Sequence, residues 1–263
     1  MIKITEIQCK SILTRSRIPG VDYTICPYIG CEHKCIYCYV RFMGFAREKK
    51  WGSFLYVKIN GDKVLKKQLR RIKEKTRISI STATDPYQPV EKKYALTRNI
   101  LKELIPHKIL VSILTKSALV TRDIDILKDM WDVEIGFTIT TTDEHARKTF
   151  EPYASSVEER FLALEALKKA GIKTYVFIGP ILPYFTEHSL PELMERVKDC
   201  GVERIVIDRL NYIRRLRLDE KVAEYYPGLT LKYKDTDRKY FDKVKELIVE
   251  CCKEYNMDYN VCF

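Results

Sequence analysis

Short runs rich in Val, Ile and Thr recur along residues 21–209, and between them the apolar positions switch to helical spacing. Tyr23–Pro27, Arg77–Thr82, Ile109–Leu114, Val133–Thr140, Thr174–Ile178 and Arg204–Arg209 are nearly continuous in apolar character. That is the pattern of parallel strands covered on both faces. Phe54–Ile59 has the same character and predicts an extra strand. Asp62–Glu74 sets Val64, Leu65, Leu69 and Ile72 at helical spacing, with Asp62 positioned to cap the start. Thr97–Leu104, Thr121–Met130 and Leu190–Asp199 predict further helices. Val157–Ala170 puts Phe161, Leu164 and Leu167 on one face and stops at Gly171. This alternation predicts an α/β fold: a partial (β/α)6 TIM-type barrel with parallel strands.

After Arg209 the pattern changes to polar loops, a long helix around Asp237–Lys253 and a β-like run at Tyr259–Phe263. The expected organisation is a core barrel over residues 1–209 and a small C-terminal extension over 210–263. With 263 residues, the chain is long enough to bury one large α/β core. There is no run of 18 apolar residues, and the segment Met1–Arg17 mixes charge and polarity with no apolar h-region. The expectation is therefore a cytoplasmic protein with no membrane partner.

Charge and cysteine usage refine this picture. Lys and Arg number 47 against 36 acids, a net charge of +11 that favours polyanions such as nucleic acid. A Lys-rich solvated surface would give the same figure. Lys63, Lys66, Lys67, Arg70, Arg71, Lys73 and Lys75 form one local group; Arg214, Arg215 and Arg217 form another. The nine cysteines are an odd number, and Cys31, Cys35 and Cys38 crowd together. That distribution argues against a disulfide framework and for metal ligation in a reducing compartment.

The crowded segment reads Cys31-Glu-His-Lys-Cys35-Ile-Tyr-Cys38, a C-x3-C-x2-C motif in a loop spanning residues 26–44, after the first core strand. Thiolates bind a [4Fe–4S] cube one per iron, so three of them leave one iron open to another ligand. The competing reading is a structural zinc site completed by His33 or Cys26, in a basic nucleic-acid-binding protein. Against it, the chain has no second C-x2-C or H-x3-H pair, and His33 sits between two of the cysteines it would join.

The motif resembles that of the radical S-adenosylmethionine (SAM) superfamily. The run Cys26-Pro-Tyr-Ile-Gly-Cys31, with Ile36-Tyr37-Cys38-Tyr39, is similar to the opening of its spore photoproduct lyase-like (DNA-repair-photolyase-like) branch, where Asn stands at the Cys26 position. Ser81-Thr-Ala-Thr84-Asp85-Pro-Tyr-Gln88-Pro-Val-Glu91 resembles the branch's T-D-P-Y-Q-P-x-E segment. Thr115-Lys116, Phe137–Thr141, Glu151-Pro152 with Arg160, and Gly179–Pro183 extend the likeness over residues 21–209.

The resemblance implies an enzyme whose [4Fe–4S] cluster is held by Cys31, Cys35 and Cys38, and whose SAM chelates the open iron. It implies an external electron donor of flavodoxin or ferredoxin type, and cleavage of SAM to a 5′-deoxyadenosyl radical. It also implies cofactor-binding roles. Thr84 and Asp85 would hold the SAM amino group, Lys116 or Arg160 its carboxylate, and Thr138 and Thr140 its ribose, with Tyr37 packing nearby. No residue is assigned to catalysis itself. The lyase carries a hydrogen-donating cysteine where this chain has Thr82, so branch likeness does not carry that repair reaction over. The substrate stays open, with nucleic acid as the expected class.

Metal analysis of protein purified without oxygen separates the two readings. The cluster predicts a brown, air-labile protein with about four irons per chain, and loss of that iron in Cys35→Ala. A colourless protein carrying zinc would favour the second reading.

Overall fold

The structure is a computed structural model that describes residues 2–211, 216–229 and 236–263. Its strands, in chain order, are β1 (Lys3–Ile7), β2 (Leu13–Arg15), β3 (Tyr23–Ile25), β4 (Tyr28–Ile29), β5 (Phe54–Lys58), β6 (Arg77–Ile80), β7 (Leu110–Thr115), β8 (Asp132–Thr138), β9 (Lys173–Ile181), β10 (Arg204–Arg209) and β11 (Asp258–Val261). The main sheet runs β11-β10-β9-β8-β7-β6-β3-β2. Every neighbouring pair in it is parallel except β2 with β3. The six predicted core strands are the inner six of this sheet, in sequence order. Its two ends, β2 and β11, do not pair with each other, so the sheet is open. A second, three-stranded sheet, β1-β5-β4, holds the predicted extra strand.

Each core strand has two unlike faces. In β7, Ile113 and Thr115 are buried away from a central cavity, whereas Leu110, Ser112 and Leu114 line it. In β10, Ile205 and Ile207 are buried while Arg204, Val206 and Asp208 line the same cavity. Period-two alternation therefore sets an apolar outer face against the helices and a mixed inner face around the lumen. Ser112, Glu134 and Asp208, which look like interruptions in apolar runs, are inner-face residues.

The helices are α1 (Gly61–Leu69), α2 (Glu91–Tyr94), α3 (Leu96–Leu104), α4 (Ile124–Leu127), α5 (Glu144–Phe150), α6 (Val157–Lys169), α7 (Phe185–Asp199), α8 (Leu218–Tyr225) and α9 (Arg238–Glu254). Four expectations change. The helix predicted over Asp62–Glu74 ends at Leu69. Asp62 lies in the first turn of α1 rather than capping it; the cap position is Asn60, whose side chain instead bonds both backbone groups of Cys9. The predicted Thr121–Met130 helix is broken up: its start belongs to a 3₁₀ segment, Ala118–Asp123, and only the single turn of α4 is α-helical. The predicted Leu190–Asp199 helix starts earlier, at Phe185, and runs through Pro191. At its start the Glu187 carboxylate accepts from the Tyr184 amide at 3.1 Å, which satisfies a donor of the first turn. Beyond α9, β11 adds to the barrel sheet beside β10, so the extension continues the core's hydrogen-bond ladder.

Two glycines keep the lumen open to aromatic rings. A Cβ on Gly136 would lie 2.2 Å from Tyr175 Cζ, and one on Gly179 would lie 2.3 Å from Phe177 Cε1. The Tyr175 ring is pinned further by the Arg204 guanidinium, 4.5 Å from its centroid. Gly136→Ala is expected to destabilise the protein by about 1–3 kcal/mol through overpacking. Urea unfolding should show this as a lower midpoint with an unchanged slope.

Candidate functional site

The cavity inside the barrel has a volume of ≈ 720 Å³. Cys31, Cys35 and Cys38 contribute to its wall, together with Tyr37, Thr84, Asp85, Lys116 and Thr138. The loop that follows β3 is thereby brought to the carboxyl ends of β6, β7 and β8, the end of a barrel where sites are built.

The segment after β6 braces this loop. The Thr84 hydroxyl donates to the Gly30 carbonyl at 2.5 Å, and Gln88 Nε2 donates to Thr84 Oγ1 at 2.9 Å. Gln88 Oε1 accepts from the Glu32 amide at 2.8 Å, and Glu32 Oε2 accepts from the Val90 amide. Gln88 is fully buried, so these bonds form away from water, where unmade partners are costly. On the other side, the Ile36 amide donates to the Phe150 carbonyl at 3.0 Å.

Asp85 is also committed to protein partners. Its carboxylate accepts from Thr115 Oγ1 at 2.7 Å, the Lys116 amide at 2.8 Å and the Tyr87 amide at 2.9 Å, with His33 Nδ1 at 3.4 Å. Burial acts to raise its carboxyl, but the His33 and Lys116 charges and these bonds overcome it and hold the group at about 2. Asp85 therefore lines the cavity while three hydrogen bonds to its carboxylate orient it and fix the start of the Lys116 turn.

A second buried network lies beside the cysteines. The Tyr37 hydroxyl donates to Glu151 Oε1, and Arg160 pairs with Glu151 Oε2. Arg160 also donates to the carbonyls of Thr138, at 2.8 Å, and Ser155, at 3.0 Å. Every nitrogen of its guanidinium therefore has a protein partner, and Arg160 is absent from the cavity lining. Burial, then the neighbouring Glu151, keeps the Tyr37 hydroxyl well above its usual range. Burial would raise Glu151, but Arg160 and then Lys116 hold it below the usual carboxylate range. Lys116, by contrast, lies in the lining with its ammonium 5.8 Å from the Tyr37 ring centroid. Burial opposes its charge, but Cys35, Glu151 and Asp85 together raise it.

Thr138 and Thr140 part company. β8 stops at Thr138, so alternation does not carry on to Thr140. Thr138 lines the cavity, whereas Thr140 is buried outside it with its carbonyl taken by Thr186 Oγ1 at 2.8 Å. Of the basic groups, Arg214 and Arg215 lie outside the described residues. The Lys63–Lys75 cluster is exposed and leads into the amino end of β6, away from the Ser81–Asp85 end.

The donor set fits a cluster better than a single ion. Burial pushes each of the Cys31, Cys35 and Cys38 thiols up to about 12. They therefore keep their protons at neutral pH until a cationic group compensates for their burial. Among the described residues, no three His, Cys, Asp or Glu side chains converge to hold one metal ion. A cube binds each thiolate at a different corner and needs no such convergence. His33, one of the zinc reading's two candidate fourth ligands beside Cys26, faces Asp85. The cavity also contains unmet polar groups: the hydroxyls of Ser81 and Thr138 are buried with no hydrogen-bond partner. A polar ligand such as SAM would satisfy them.

Sequence reasoning gave no role to Ser81, Gln88, Glu151 or Asp208. Ser81 follows β6 with a left-handed backbone, φ +62°. Asp208 reaches the lining two places after Val206, and burial raises its carboxyl. Strand-end position and alternation were the available signals for both.

Arg160→Met would strand the Glu151 carboxylate in the core. The expected outcome is a loss of about 3–5 kcal/mol of folding stability, read from denaturant midpoints.

Comparison with known proteins follows the same lines. The family model of the Radical SAM superfamily matches residues 25–197. An uncharacterized protein of Methanocaldococcus jannaschii is 44% identical over 183 residues, covering 69% of each chain. A radical SAM Nalpha-GlyT isomerase of Pseudomonas phage M6 is 23% identical over 183 residues, 69% of this chain and 38% of that one. Among solved structures, a spore photoproduct lyase variant with bound AdoMet and dinucleoside spore photoproduct superposes with a TM-score of 0.72 at 16% identity, covering 99% of this chain and 82% of that one. No helix among the described residues is long and apolar enough to cross a membrane.

Proposed function

The chain belongs to the radical SAM superfamily, whose members use a [4Fe–4S] cluster and SAM, and from that premise we propose that it performs SAM-dependent radical chemistry on a nucleic-acid base or nucleotide. In this reading Cys31, Cys35 and Cys38 hold the cluster, and the ≈ 720 Å³ cavity receives SAM and the reacting part of the substrate. The observation that carries it is the placement of three thiols, Cys35 buried and Cys31 and Cys38 partly buried, in the wall of a cavity that also contains the unmet hydroxyls of Ser81 and Thr138. When bound, the two cofactors supply one-electron cleavage of SAM to a 5′-deoxyadenosyl radical.

The chain's own residues bind, orient and exclude water. Lys116, the cation of the lining that faces Tyr37, complements the SAM carboxylate. Ser81 and Thr138 give hydroxyls to its polar groups. Asp85 and Gln88 act at one remove, by fixing the turns that present Lys116 and the cysteines. Residues 1–209 form the catalytic core in this reading, and 210–263 an extension that lengthens its sheet through β11.

Two observations support a nucleic-acid substrate. The net charge is +11, which suits a polyanion. The phage relative is named for Nalpha-GlyT, and the lyase was captured with a dinucleoside photoproduct. Thr82 stands where the lyase has its hydrogen-donating thiol, so the proposal covers the substrate class and not the repair of that lesion.

Anaerobic, reduced protein should form 5′-deoxyadenosine from SAM, faster with the matching member of a nucleic-acid panel than with peptides or metabolites. Absence of 5′-deoxyadenosine from iron-replete protein would overturn the reading. Two variants test the SAM site. Lys116→Ala should weaken SAM binding by about ten- to a hundredfold with iron content intact. Thr138→Val removes a hydroxyl that has no protein partner, so the apo fold should be as stable or more so, while SAM binding weakens. A loss of apo stability in Thr138→Val would assign that hydroxyl to the fold.

A further inference from the structure

The cluster loop has two faces, and only one belongs to the cavity. Cys35 and Tyr37 point into the lumen, while Ile36 between them forms part of a separate surface depression of ≈ 370 Å³. α5 and α8 complete this depression with Lys148, Lys221, Glu224 and Tyr225, beside Pro152. We infer that this depression is the docking surface for an acidic, flavodoxin-type one-electron carrier, an inference that rests on the function proposed above.

Three features favour this occupant. The first is proximity: Ile36 lies between two of the thiols assigned to the cluster, so a carrier seated there approaches the loop from outside. SAM and substrate can remain in the lumen while it does so. The second is unneutralised charge. Among the described residues, Lys148, Lys221 and the neighbouring Arg41 form no ion pair with a carboxylate. Burial first, and the Arg41 charge after it, hold the Lys221 ammonium below its usual range, while the Glu224 carboxylate opposes that shift. Glu224 is the acid of the lining and is itself exposed. The third is apolar surface: Tyr225 is 52% exposed, and with Ile36 and Pro152 it offers a contact to the edge of a flavin ring. Basic rim and aromatic contact together complement an acidic flavoprotein.

The step itself is a single electron transfer. The reduced flavin gives up one electron and departs one electron more oxidised, and the cluster gains it. No bond forms or breaks, and no proton moves on this chain.

The test is binding of purified flavodoxin to the full chain, with SAM cleavage as a second readout. Lys148→Glu/Lys221→Glu should weaken flavodoxin binding at least about tenfold and flatten its salt dependence. Lys63→Glu/Lys67→Glu, an equal charge change on exposed positions of α1, should leave binding intact. Flavodoxin-driven 5′-deoxyadenosine formation should fall with the first variant, whereas dithionite-driven formation should match the parent. Failure of the parent to bind flavodoxin, equal binding by parent and first variant, or equal loss in the α1 control would each overturn the docking surface. So would loss of single-stranded DNA binding in place of flavodoxin binding. Failure of the parent to cleave SAM with dithionite would instead overturn the function on which the surface depends.

Discussion

Three desolvated thiols at one end of a parallel sheet, Cys35 buried and Cys31 and Cys38 partly so, create an electrostatic demand that the rest of the site answers. Desolvation works against any charge there, and it pushes all three thiols up to about 12. The chain surrounds them with alternating fixed charges: Asp85 with His33, then Lys116, then Glu151 with Arg160. Nearby positive charge and hydrogen bonds hold each anion ionised: three bonds reach the Asp85 carboxylate and two reach that of Glu151. Such an arrangement is rigid because leaving any member unpaired in a low-dielectric interior costs several kcal/mol. The site is thereby shaped in advance for groups that arrive charged.

How much of this was legible in the sequence differs between fold and site. The core strands were readable because their outer faces are buried under helices and appear as dense Val and Ile runs; Arg204–Arg209 matches residue for residue. Less readable were elements whose identity is decided by tertiary contacts. β1 is largely exposed and polar, and pairs with β5 from a distant part of the chain. The region after β7 carries helical periodicity but makes a 3₁₀ segment, since Ser117 caps a tighter turn there.

At the site, cysteine spacing and the family resemblance marked Cys31, Cys35, Cys38, Lys116 and Thr138, and all five line the cavity. Two other candidates are engaged within the protein for a shared reason. Asp85 and Arg160 have the chemistry of ligand-binding groups, but each spends its hydrogen bonds inside the protein. A sequence shows which side chains carry charge and not which partners reach them first. Glu151, 113 residues beyond Cys38 in the chain, is the partner that decides what Tyr37 and Arg160 do.

The bonds joining Thr84 and Gln88 to Gly30 and Glu32 have a consequence beyond their strength. They tie the stretch that presents the cysteines to the stretch that follows β6, so neither can be ordered without ordering the other. Thermodynamic linkage is reciprocal: if loading iron tightens the hold on the nucleoside cofactor, that cofactor must tighten the hold on iron by the same factor. Each cofactor would then favour retention of the other, so that a chain already holding its cluster is the better trap for the nucleoside cofactor.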